Sequence, residues 1–265
     1  MIVLQLLFFV QVVLESLPVS SSGQLKLLAC LLDRFGQVAC ALQLSVFSLQ
    51  WNTFLNLPTL VIVALYFLPR YLSLLRNPRR IWRMVVRVGL LTALADLITG
   101  LLYLRGADEW FFWLPLWFCF ALTAGALWSL RWCPACVPGT RLTVGRAMTF
   151  GVVHGLLWPA GISRLGGMFV TARWLGFRGQ RAFELAWLLQ VPLIGALLVR
   201  DYFRNTASAF GEPLFLPGML PLLLAVTALG FAAFCAAGYL ARTNQFWRFS
   251  YYMVAAAAIA LLFGC

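Results

Sequence analysis

The sequence predicts an all-α fold: a polytopic membrane protein of six transmembrane helices plus two re-entrant helical hairpins, arranged as an inverted repeat. Three observations carry this. Hydrophobic residues make up 63% of the chain and charged ones 11%, and the mean hydropathy is +0.90, far from the balance of soluble domains. At about 20 apolar residues per crossing, the 265 residues have room for six to eight membrane segments and no large soluble domain. Two apolar stretches, 1–36 and 146–179, are each interrupted midway by small and polar residues, at Ser20-Ser21-Ser22-Gly23 and at Gly161-Ile162-Ser163-Arg164-Leu165-Gly166-Gly167. Broken helices of this kind survive in a membrane only where protein or a water-filled cavity satisfies the freed backbone groups.

In chain order, Met1 to Leu17 has the length of a signal peptide but lacks a basic leading region and a small-residue cleavage site, and it carries Gln11 and Glu15. It is therefore expected to stay in the mature protein as the first arm of a re-entrant hairpin. Residues 38–50 read as a short interfacial helix. Stretches 53–69, 84–104, 110–130, 181–199, 216–240 and 247–263 are the six expected spans. All belong to a single membrane domain, 1–265, with repeat halves 1–130 and 140–265.

Charge gives the orientation. Lys26 is the sole lysine, so the net charge of +12 belongs to arginine. Arg70, Arg76, Arg79, Arg80, Arg83 and Arg87 fill the connection between the first two spans, and Arg131, Arg141 and Arg146 follow the third. Both connections are expected in the cytoplasm, as is the turn between Arg242 and Arg248. The connections carrying Asp108 and Glu109, or Asp201 and Glu212, are expected outside. With no soluble basic domain, the charge reads as topology and contact with anionic membrane lipids, and nucleic acid is not an expected partner.

Three spans separate the two interrupted hairpins, so they must enter from opposite sides. The repeat is visible in the residues. At a constant offset of 143, Val10, Leu14, Ser20, Gly23, Ala29, Leu32, Gly36 and Gln37 meet Val153, Leu157, Ser163, Gly166, Ala172, Leu175, Gly179 and Gln180. The same alignment sets Ser21 opposite Arg164 and Gln11 opposite His154. Two hairpin tips meeting near the midplane would build one polar site from both halves.

Gln11 and Glu15 are four apart and share a helix face. A carboxylate at membrane depth costs about 2.5–3.5 kcal/mol and reads by default as functional. Arg164 offers a planar fork of donors suited to phosphate. Hydroxyls of Ser20, Ser21, Ser22 and Ser163, with backbone N–H groups at the Gly23 and Gly166 helix starts, complete an anion cradle. The expected ligand is a phosphorylated anion. Glu15 then either holds a divalent metal against phosphate oxygens or acts as general base toward a serine hydroxyl or water.

Other residues have plainer readings. Cys133-Pro-Ala-Cys136 lacks a second pair or nearby histidine and reads as a reduced surface turn, with the other five cysteines scattered in spans. Asp96 and Glu184 are read as interhelical arginine pairs or snorkelling positions ahead of an ion relay. Trp110, Trp113, Trp117, Trp128, Trp132 and Trp247 read as an interfacial aromatic belt.

Gln11-Val-Val-Leu-Glu15-Ser-Leu-Pro-Val-Ser-Ser-Ser-Gly23 resembles the first signature of the undecaprenyl-pyrophosphate phosphatase family, in which Glu or Gln precedes a Glu by four and a Ser-Ser-Ser/Thr-Gly-His run follows a proline. Ala160-Gly161-Ile162-Ser163-Arg164-Leu165-Gly166 is similar to its second, Pro-Gly-x-Ser-Arg-Ser-Gly followed two residues later by Thr. Looser similarity runs through Thr53-Phe54 and from Arg181-Ala182-Phe183 to Val191-Pro192. The resemblance implies six spans with two re-entrant hairpins. It also implies hydrolysis of undecaprenyl pyrophosphate to the monophosphate on the outer face of the bacterial cytoplasmic membrane, recycling the carrier lipid for cell-wall synthesis. By position it makes Glu15 and Gln11 the acid motif, Ser21 the nucleophile or hydroxyl ligand, and Ser163 with Arg164 the pyrophosphate clamp. It implies a divalent metal, magnesium or calcium, at Glu15; a second copy of the chain is carried as a candidate partner beside the polyprenyl pyrophosphate lipid.

Three family positions differ: the histidine is Gln24, the serine after Arg is Leu165, and the threonine is Met168. His154, the one histidine, either has taken over the lost imidazole's role from the opposite hairpin or is a packed, hydrogen-bonded core residue. These losses feed the rival reading of a polyprenyl-phosphate transporter or a non-catalytic lipid-binding relative. Retention of Gln11, Glu15, Ser21, Ser163 and Arg164 favours catalysis.

Overall fold

The computed structural model describes residues 2–36, 57–75, 93–94, 97–98, 100–101, 114–134, 140–157, 159–204 and 219–265. The first apolar run forms α1 (Ile2–Glu15). It stops where Pro18 follows, because a proline drives the residue before it out of the helical region. Ser16 to Ser20 make the turn, and α2 (Ser21–Arg34) begins at once. The expected interruption at Ser20–Gly23 is therefore displaced: Ser21, Ser22 and Gly23 are the first turn of a helix, and Ser20 is its cap. The same happens at the second interruption, where α6 starts at Arg164 with Ser163 as its cap.

The remaining elements are α3 (Leu57–Leu75), α4 (Leu116–Trp128), α5 (Val144–Leu156), α6 (Arg164–Trp174), α7 (Gly179–Arg204), α8 (Met219–Arg242) and α9 (Phe249–Phe263). Short 3₁₀ turns at Ser129–Trp132 and Phe246–Arg248 follow α4 and precede α9. The described residues contain no strand.

Two stretches, Pro221–Arg242 and Phe246–Phe263, are long and apolar enough to cross a bilayer, and the apolar part of α3, Leu57–Pro69, is shorter. Their outer faces present Leu224, Leu229, Val254, Leu261 and Leu262. The described residues are all-helical and consistent with a membrane protein. Of the other expected spans, 181–199 lies inside α7 and 110–130 is described as helix only from Leu116. The interfacial helix 38–50, most of 84–104, Asp96, Asp108, Glu109, Trp110, Trp113, Cys136, Glu212 and the arginines from Arg76 to Arg87 lie outside the described residues.

Helix contacts are made through small residues, as membrane interfaces favour. A Cβ on Gly230 of α8 would lie 2.8 Å from Ile62 Cδ1 and 3.1 Å from Val12 Cγ1, so α8 meets α1 and α3 where it has no side chain. On α9, buried Met253, Ala256 and Ala260 belong to the same core as Phe120, Ala124 and Leu127 of α4, its main partner. Phe183, Trp187, Phe234 and Phe246 fill the centre with edge and tilted ring contacts.

Glu184, read as an interhelical arginine pair or a snorkelling position, pairs with Arg181 at 3.2 Å, one turn back in its own helix. One sequence expectation needs correcting. Cys30 and Cys265 are not scattered but joined in a disulfide that ties the far half of α2 to the C-terminus. Arg131 stacks between Trp128 and Trp247, 4.6 and 4.7 Å from their ring centroids, so part of the aromatic belt holds a cation.

Candidate active site

The site grows from two helix caps. Ser20 lies in extended backbone (φ −75°, ψ 101°) and its Oγ accepts the N–H of Gly23 at 3.2 Å. Ser163 repeats this at φ −81°, ψ 111°, accepting from Gly166 at 3.0 Å. Each serine satisfies one of the donors that a helix start leaves open. Both caps fall on the 143-residue offset seen in the sequence.

The two tips touch. Ser20 Oγ also accepts the N–H of Gly161 at 3.0 Å, across 141 residues. Only glycines allow this approach: a Cβ on Gly23 would lie 2.5 Å from Gly161 Cα, and Gly161 itself holds φ +95°. The contact is not symmetric, because the counterpart of Gly161 is Pro18, which has no N–H to give. Gly166 instead rests against the Pro18 carbonyl, where a Cβ would come within 3.2 Å of its oxygen.

Between the tips lies a small cleft lined by Glu15, Leu17, Val19, Ser20, Ser21, Ser22, Ile162, Ser163, Arg164, Leu165 and Gln190. Ser21 Oγ donates to Glu15 Oε2 in a short contact. Gln11 Nε2 donates to the same carboxylate oxygen at 3.5 Å and to Ser21 Oγ at 3.4 Å, so one turn of α1 holds the carboxylate and the hydroxyl together. Arg164, first residue of α6 and half-buried, brings the cation to the opposite wall. Thr123 of α4 holds that wall in place: its Oγ1 accepts the Ser163 N–H at 3.1 Å and lies 3.1 Å from the Gly161 and Cys119 carbonyl oxygens, to which it can donate.

Six of the sequence-derived residues, Glu15, Ser20, Ser21, Ser22, Ser163 and Arg164, share the cleft wall. Gln11 stands behind it, and Gly23 and Gly166 shape the tips. Gln24 is buried in the first turn of α2 and is not among the residues lining the cleft, and its Nε2 has no hydrogen-bond partner among the described residues. His154 is 0% exposed in the last turn of α5, also outside the lining. Thr123 and Gln190 were missed. Gln190 did leave a signal, as the lone amide in the apolar run 185–199, two residues before Pro192.

The carboxylate and hydroxyl on this wall and the Gln11 side-chain amide oxygen behind it are hard oxygen donors. Gln11 Oε1 is buried and without a hydrogen-bond partner among the described residues. Such a set fits magnesium or calcium, which bind through one or two carboxylates and take further oxygens from a phosphate. No group of three His, Cys, Asp or Glu that could cage a metal occurs among the described residues, so any ion here would rely on ligand oxygens for the rest of its shell.

The described fold and site define, in class, an all-helical membrane protein with a carboxylate, serines and an arginine gathered in one cleft between two helix-hairpin tips. The chain belongs to the bacitracin resistance protein BacA family, whose model matches residues 5–259. It is 29% identical to an undecaprenyl-diphosphatase of Desulfovibrio desulfuricans over 227 residues, 81% of each chain. It is 28% identical to undecaprenyl-diphosphatases of Thermotoga maritima and Thermotoga petrophila over 268 residues, 98% of this chain and 99% of theirs.

Proposed function

We propose that this protein hydrolyses undecaprenyl pyrophosphate to undecaprenyl phosphate and inorganic phosphate, returning the carrier lipid to cell-wall synthesis and thereby supporting resistance to bacitracin. The single observation that carries this is the cleft that sets Glu15 and Ser21 of one hairpin against Ser163 and Arg164 of the other. The family match and the diphosphatase relatives point the same way, and hydrolysis is retained over the transporter reading.

Glu15, already accepting the Ser21 proton, acts as general base. Ser21 Oγ attacks the terminal phosphorus, the P–O bond to the bridging oxygen breaks, and undecaprenyl phosphate leaves. Water then attacks the Ser21 phosphoester, releases inorganic phosphate and restores the hydroxyl. Arg164 and the N–H groups at the α6 start stabilise charge on the phosphoryl oxygens, the largest contribution expected in a water-poor site. Glu15, with Gln11 and Ser21 beside it, would hold a divalent magnesium or calcium ion, and the chemistry supplied there would be neutralisation of charge on the phosphate oxygens.

We place the enzyme in the bacterial cytoplasmic membrane with six spans, two re-entrant hairpins and the cleft open to the outside. The arginine-rich connections support that orientation. So does the Cys30–Cys265 disulfide, which needs an oxidising compartment and lies at the end of α9 remote from Arg242 and Arg248. The test is phosphate release by purified protein in detergent with a polyprenyl pyrophosphate and magnesium. Lipid binding without phosphate release would reject catalysis.

A further inference from the structure

We propose that Gln190 contacts the substrate's phosphate, its side-chain amide supplying on α7 the polar group that this chain lacks at Leu165; the proposal rests on the pyrophosphate reading above. The cleft has three walls. Two are the hairpin tips, and the third is α7, which contributes Gln190 alone to the lining.

Gln190 is 5% exposed, and around it α7 buries Phe183, Leu185, Ala186, Trp187 and Leu189. An amide taken into such surroundings costs free energy unless it has a polar partner, and what Gln190 faces is the cleft between Glu15, Ser163 and Arg164.

Two hydroxyls of the second signature are missing from this chain, and the structure separates them. Met168 is 0% exposed and joins the hydrophobic core, so its loss concerns packing. Leu165 lines the cleft, so there the anion meets a hydrocarbon where the signature has a hydroxyl. Gln190 lines the same cleft. Its amide carries two N–H donors, which suit phosphate oxygens beside the Arg164 guanidinium, and one acceptor for a donor at the tip.

The experiment compares wild type, Gln190→Met, Gln190→Glu and the double variant Leu165→Ser/Gln190→Met, purified in detergent. Phosphate release from a polyprenyl pyrophosphate with magnesium is measured together with calorimetric binding of inorganic pyrophosphate. Methionine keeps the length and suits the apolar surroundings. Gln190→Met is expected to raise KM and weaken pyrophosphate binding about tenfold, the loss of one hydrogen bond to a charged group, with a smaller change in kcat. Gln190→Glu sets a carboxylate against the anion and is expected to weaken both further. Leu165→Ser in the Gln190→Met background is expected to recover most of the lost kcat/KM.

Pyrophosphate binding by Gln190→Met within about twofold of wild type would overturn the proposal, since a lost hydrogen bond to a charged group costs more than that. So would a Leu165→Ser change that leaves the double variant no better than the single. Wild type that binds pyrophosphate but releases no phosphate would sink the hydrolase reading alone, and the binding comparison would still decide Gln190. Should Gln190→Met not fold, the same binding comparison with Gln190→Glu, which keeps one polar end, decides it.

Discussion

Ser20 Oγ takes two backbone N–H groups, from Gly23 at 3.2 Å in its own helix and from Gly161 at 3.0 Å in the other hairpin. One side chain thus caps α2 and latches the two tips. Ser20→Ala removes an acceptor from two buried donors. Each buried group left without its partner costs about 1–3 kcal/mol, and we expect a lower melting temperature in detergent together with reduced phosphate release. A Ser20→Ala variant with wild-type melting and turnover would mean that the latch is dispensable.

Gly23 tests the closeness of the tips. A Cβ there meets Gly161 backbone at 2.5 and 2.7 Å and the Phe120 ring at 2.7 Å, and neither backbone nor a packed ring can yield cheaply. Gly23→Ala is expected to cut activity strongly while far-ultraviolet circular dichroism keeps its helical signal, because α2 tolerates alanine and the damage is confined to the tip contact.

Thr123 acts through Ser163. In Thr123→Val the shape is kept, but the Ser163 N–H loses its acceptor and the Gly161 carbonyl its donor. The expected result is a fall in kcat of about tenfold or more from misplacement of the Arg164 wall, with Thr123→Ser restoring most of it. Equal activity in the valine and serine variants would assign Thr123 to packing alone.

The disulfide anchors the far end of the first hairpin. Cys30 and Cys265 are 235 residues apart, and removing a link across so long a loop typically costs about 2–5 kcal/mol. Cys265→Ser is expected to melt at a lower temperature than wild type, and dithiothreitol should lower wild type to the same value while leaving the variant unchanged. Identical melting of both proteins in both conditions would show that the link contributes nothing.

Much of this was legible beforehand because membrane energetics are unforgiving. Gln11, Glu15 and Arg164 stand out in apolar surroundings, and the 143-residue offset aligns both serine caps in the sequence itself. The exact breaks were less legible. Ser21 to Gly23 and Arg164 to Gly167 read as interruption by composition, whereas the caps at Ser20 and Ser163 let the helices start there. Thr123 was hidden because a threonine within a span has many unremarkable uses, bonding its own helix among them. The pairing of Cys30 with Cys265 has no local sequence signal at all, since it depends on where α2 and α9 end in space. For His154 the sequence left two roles open, and the ring lies at 0% exposure in α5 and is not among the residues lining the cleft.

The central claim is that one phosphate site is built from both hairpins, with Glu15 and Ser21 on one and Arg164 on the other. The most direct measurement is inorganic phosphate released from a polyprenyl pyrophosphate and magnesium by purified wild type, Glu15→Gln and Arg164→Ala. The account predicts one phosphate per lipid for wild type and a loss on the order of a hundredfold or more in kcat for each variant, the scale of removing a principal charge-stabilising group. Wild-type turnover in Arg164→Ala, or no phosphate release by wild type, would contradict it.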